Sequence, residues 1–124
     1  MPVTYTTAVK NARLSAVVSQ IGSTGVLEIG TTGMAAVLAT IALDATAGTV
    51  SGGVLTFSGF PKSDTSADAT GTAAAARIRT APGGTDIVTG LSVGTSGSDI
   101  NLNSTSIASG QTVTISSASI THAA

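Results

Sequence analysis

Apolar and polar positions alternate most cleanly between Ala35 and Leu43, where Val37, Ala39, Ile41 and Leu43 share one side. A period of two marks a strand with one buried face. The same period returns at Val26–Ile29, with Glu28 facing opposite to Leu27 and Ile29, and at Val54–Ser58, with Leu55 and Phe57 together. It returns again at Gly71–Thr80, where Ala74, Ala76 and Ile78 fall on one face and Arg77 and Arg79 on the other. One stretch keeps a helical period instead. Leu14, Val17, Val18 and Ile21 repeat at helical spacing, and Tyr5, Val9, Ala12 and Ala16 extend the stripe. Thr6 or Thr7 is placed to cap this helix, and Gly22 to end it. The expected helix covers about residues 6–21, its stripe lying over an end or face of the sheet.

Turn signals separate the strand patterns. Gly30–Gly33, Asp44–Gly48, Pro82-Gly83-Gly84, Gly94–Ser98 and Ser109-Gly110 are all rich in turn formers. Gly52-Gly53 suits a two-residue hairpin between Thr49–Ser51 and Val54–Ser58. Asp86–Val93 reads as a strand bent at Gly90, and Ile100–Leu102 as a short one. In Thr112–Ile120, Val113 and Ile115 share one phase while Ala118 and Ile120 share the other, which predicts a β-bulge near Ser116-Ser117. From Gly59 to Gly71 no period holds. Pro61 denies a ladder donor, and Ser, Asp and Thr favour local side-chain bonds, so this segment reads as a surface loop of about a dozen residues. The sum is a mainly β fold. It is expected to be a single domain over 1–124, a β-sandwich or jelly-roll-like domain of seven to eight short antiparallel strands at about 26–120, with one N-terminal α-helix.

Composition sharpens this picture. Of the 124 residues 42% are hydrophobic but only 2% aromatic, so aliphatic side chains must build the core and the packed layers should lie close together. Charged residues make up 9%, far below the roughly 25% of an ordinary domain. With a mean hydropathy of +0.45, such a surface tends to associate. The net charge is −1, and the five basic residues are scattered, which argues against nucleic-acid binding. Cysteine is absent, which excludes disulfides, thiolate metal sites and cysteine nucleophiles. The opening Met-Pro-Val-Thr-Tyr lacks the pattern of a signal peptide, and Met34–Leu43 is too short to span a bilayer.

Candidate chemistry is sparse. The single histidine, His122, lies near the end of the sequence, where little would hold a general base in place. No Gly-x-Ser-x-Gly elbow and no phosphate-binding glycine loop is present. Asp64 and Asp68 share the long loop and could offer oxygen ligands, but the later ligands of a calcium loop are missing, and turn-forming aspartates are the plainer reading. No catalytic residue, metal or cofactor is expected. Contact residues are the better candidates. Arg77 and Arg79 can make bidentate bonds to a partner's carboxylates, or can simply be solvated at a sheet edge. Phe60 can plug a partner or fold back on its own domain. Lys62, Asp64 and Asp68 complete that loop, and Val3 and Tyr5 belong to an N-terminal segment, from Pro2, that could add to a neighbour's sheet edge.

The run SGGVLTFSGFPKSDTSADATGTAAAARI and the later GLSVGTSGSDINLNSTSIASGQTVTISSASITHA, behind TTAVKNARLSAVVSQIG, resemble small structural proteins of tailed-bacteriophage virions. Capsid decoration or cement proteins are closest in size and character. The resemblance rests on segment order and composition, and transfers no functional residue. It implies a non-enzymatic protein that binds the major capsid protein and reinforces the shell as a dimer or trimer. It would belong to a virion assembled in the bacterial cytoplasm, with neither nucleic acid nor membrane as its partner. A tail, neck or baseplate component is the alternative, and a carbohydrate-binding module a more distant one, since sugar sites usually carry aromatic platforms.

Overall fold

The computed structural model describes residues 4–81 and 83–121. Among the described residues the chain is mainly β with one α-helix. The helix α1 (Thr7–Ile21) forms where the helical period predicted it, with Thr6 as N-cap and Gly22 as C-cap. Thr6 Oγ1 accepts from the amide of Val9 at 3.3 Å, and Gly22 takes the positive φ of 71° that a helix-ending residue adopts at least cost as glycine.

Twelve strands follow among the described residues: β1 (Val26–Gly30), β2 (Val37–Ala42), β3 (Gly48–Ser51), β4 (Val54–Phe57), β5 (Lys62–Asp64), β6 (Gly71–Thr72), β7 (Ala75–Arg79), β8 (Asp86–Leu91), β9 (Val93–Gly94), β10 (Ile100–Leu102), β11 (Ser106–Ile107) and β12 (Val113–Thr121). They form a four-stranded sheet in the order β2-β1-β7-β8 and a six-stranded sheet in the order β3-β4-β12-β10-β9, with β5 also on β12. A two-stranded ribbon, β11-β6, completes the set. The count exceeds the seven to eight expected, because pairs of two or three residues sit inside stretches that look like turns. The pairing is also not wholly antiparallel, since β9 runs parallel to β10.

Three expectations change in detail. The dozen-residue loop from Gly59 to Gly71 contains β5, which pairs Lys62–Asp64 with Val113–Ile115. The strand expected at Gly71–Thr80 is divided: β6 pairs with β11, and the chain then shifts to β7 after the amides of Ala73 and Ala74 bond to Thr105 and Gly30. The helical stripe is split as well. Leu14 and Ile21 are buried and Val17 and Val18 pack beside them, but Ala12 and Ala16 are exposed, and Tyr5 and Val9 keep 41% and 42% of their surface in solvent. Lys10 and Asn11 instead flank the inner side, where Asn11 Oδ1 accepts from the amide of Gly53 at 2.9 Å. That bond docks α1 on the β3–β4 hairpin, whose Gly52 and Gly53 both have positive φ as a two-residue turn demands.

The core is aliphatic. Leu27 and Ile29 of β1, Ile78 of β7, Leu55 of β4, Ile100 of β10 and Ile115 of β12 belong to one buried cluster that also holds Leu14 and Ile21 of α1. Leu38 is out of phase with its neighbours yet fully buried. Asp68 donates its amide to the Leu38 carbonyl at 2.7 Å, so the segment after β5 closes over that side of β2. The bulge falls as expected: Asn101 pairs with Ser117 but Leu102 with Ile115, leaving Ser116 unmatched on β12.

Candidate interaction surfaces

The four-stranded sheet carries a line of charge on its outer face. Its two middle strands, β1 and β7, set Glu28 directly across from Arg77, and Val26 across from Arg79, while β8 sets Asp86 across from Arg79. Glu28 is only 8% exposed at its side chain. A carboxylate this deep needs partners, because an isolated ion in a dry site costs several kcal/mol. It has two. Arg77 Nε donates to Glu28 Oε1 at 2.6 Å, and Arg79 Nη1 lies 3.8 Å from the same oxygen. Arg79 Nε lies 2.8 Å from Asp86 Oδ1, but its buried N–H is not aligned on an acceptor, so this contact is a charge pair rather than a directed hydrogen bond. Two cations and two anions thus share one strip. Arg77 and Arg79 do lie opposite to the core as the alternation requires. Their strongest contacts are to this chain, through an acid 49 positions before Arg77. No local period in the sequence announces that pairing; it exists only because β1 and β7 are neighbours.

The corner between β2 and β5 gathers the remaining loop candidates. Phe60 packs against the core, its ring edge-on to Phe57 at 6.5 Å between centroids. Lys62 Nζ pairs with Asp44 Oδ1 at 2.6 Å and stands 5.9 Å from the Phe60 centroid. Asp64 Oδ2 accepts from the amide of Thr40 at 3.0 Å, and its Oδ1 from the amide of Ser66, also at 3.0 Å. Asp68 Oδ2 is 3.5 Å from the Thr40 hydroxyl. Ala67 exchanges backbone bonds with Gln111 and Gly110. Residues 64–68 therefore cover the outer edge of β2 and tie it to the segment before β12. A covered edge cannot recruit a stray strand. No three His, Asp or Glu side chains converge as metal ligands among the described residues.

Two surfaces differ from these. The outward positions of the six-stranded sheet hold Thr49, Thr56, Ser63, Asn101, Thr114, Ser117 and Ser119, and none carries a charge. Several bond sideways within the face: Ser63 Oγ to Thr114 Oγ1 at 3.0 Å, and Asn101 Nδ2 to Ser117 Oγ at 3.0 Å. The outward side of α1 presents Ala8, Val9, Ala12, Arg13 and Ala16 to solvent. Arg13 lies over the Tyr5 ring at 4.7 Å from its centroid, a cation–π arrangement. Tyr5 and Val9 are the large hydrophobic residues left exposed among those described. The periodicity counted both as core, because a helix this rich in alanine and valine offers more than one apolar face. Val3, Pro2, Pro82 and His122 lie outside the described residues.

Comparison of the chain with protein-family models, with curated protein sequences and with solved structures finds no match. No helix among the described residues is long and apolar enough to cross a membrane.

Proposed function

We propose that this chain is a non-catalytic structural protein of a tailed-phage particle, attached in many copies to the capsid shell as a decoration or cement protein. The observation that carries the reading is the outward side of α1: Val9 stays exposed beside Ala8, Ala12 and Ala16, with Tyr5 just ahead of the helix, so an aliphatic strip faces solvent on a helix docked through its other side. Low charge supports it, since a face with few ions can be buried against a neighbour with little water stripped from charged groups. The resemblance of its segment order and composition to those of small virion proteins supports it too. On this reading the two larger sheets are the layers of a sandwich or jelly roll, with Leu27, Ile29 and Ile78 meeting Leu55, Ile100 and Ile115 in one core.

In this mechanism binding energy is collected by repetition. One helix face is a small contact, but copies held by a symmetric lattice act together. Electron cryomicroscopy of particles made with and without this chain tests the reading. Density for it repeated over the shell, with shells that resist heat better when it is present, is the expected result. Density confined to one vertex would move the chain to the tail, neck or baseplate. Absence from the particles would overturn both.

A further inference from the structure

We propose that the outward side of α1 docks on a carboxylate-rimmed apolar surface of a different protein, which on the reading above is the shell subunit, and does not pair with a second copy of this chain. Charge decides between the two occupants. The helix has no acid, Lys10 turns to the β3–β4 hairpin and Arg13 to the outward side, and no acidic residue compensates the first turn, so the outward side is positive from the Arg13 guanidinium and the backbone dipole together. A two-fold pairing of α1 with its own copy sets like flanks together, Arg13 beside Arg13, with no acid on either helix to answer them. A partner bearing Asp or Glu beside an apolar stripe meets both needs at once: aliphatic contact for Val9, and carboxylates for Arg13.

The geometry favours a preformed contact. α1 is held by its Thr6 cap, by the Asn11–Gly53 bond and by Leu14 and Ile21 in the core, so little entropy is lost when its far side is covered. Ala12, at the middle of that side, lets a partner's backbone approach closely. Fifteen helical residues give a strip about 22 Å long and about 10 Å wide, or about 220 Å², short of the roughly 800 Å² per partner that a stable free complex buries. The contact is therefore weak singly and strong on a lattice.

The test is co-sedimentation of the purified full chain with assembled shells lacking it, for wild type and for Val9→Asp, Ala12→Arg and Arg13→Glu, with Thr95→Arg in an exposed turn as control. Thermal melts accompany each variant, and all four positions are exposed, so the fold is expected to persist. The expected result is about tenfold or greater loss of binding for the three helix variants, none for Thr95→Arg, and weakening of wild type between about 50 and about 500 mM NaCl. Folded helix variants that bind like wild type would overturn the docking site and leave the shell reading standing. Wild type that ignores the shells would overturn both. Sedimentation velocity closes the other route: a wild-type dimer that Val9→Asp or Ala12→Arg dissociates would show that a second copy is the occupant.

Discussion

The outer face of the four-stranded sheet and the outer side of α1 make opposite use of their residues. The sheet face looks like an interaction site in one dimension, because it bears two arginines on a chain with few charges. In three dimensions Glu28 and Asp86 answer those arginines from within. The helix looks like core packing in one dimension, yet Ala8, Val9, Ala12 and Ala16 face solvent. When a protein has so few ions, several can be matched within its own strands, while the outward side of α1 stays aliphatic with Arg13 as its one exposed charge.

Glu28→Ala should separate the two regions most sharply. It leaves two guanidinium groups on a largely buried strip with only Asp86 to share, and should cost about 3–5 kcal/mol in urea denaturation. A loss under about 1 kcal/mol would mean that the strip is solvated rather than matched. Leu14→Ala probes the inner side of α1 and should cost about 2–4 kcal/mol, detaching the helix from the β3–β4 hairpin before the sheets melt. Asp64→Ala removes an acceptor from two amides and should cost about 1–2 kcal/mol, with faster hydrogen exchange at Thr40 as its local signature. Thr6→Ala should cost about 1 kcal/mol through the lost cap. Val9→Asp, outward on the same helix, should change stability by no more than about 0.5 kcal/mol. If Val9→Asp unfolded the chain as readily as Leu14→Ala, the distinction between the two sides of α1 would be gone.

Local physics made much of the fold legible. The helix begins at Thr6 and ends at Gly22 because a hydroxyl and a missing side chain do those jobs alone. The Gly52-Gly53 hairpin and the Ser116 bulge were likewise readable from turn chemistry and from a change of phase. What stayed hidden depends on distant neighbours. Two-residue strands such as β6 and β11 carry no period of their own and exist only as a pair. The parallel β9–β10 contact follows from how the chain returns, not from its residue types. The environment of Arg77 depends on Glu28, and the rotation of α1 on the contacts Asn11, Leu14 and Ile21 make with the hairpin and core. Phe60 was evenly balanced between facing inward and outward, and the edge-on contact with Phe57 places it on the core.

β12 is bonded along one edge to β4 and β5 and along the other to β10. Ser63 and Thr114, which touch across one of those ladders, are 51 positions apart. A growing chain on the ribosome therefore holds β3, β4 and β5 with an open seam until β12 has been made. During that interval, loose strands with almost no charge to keep them apart are exposed to other nascent chains. A chaperone that shelters the unfinished sheet should therefore raise the yield of folded chain.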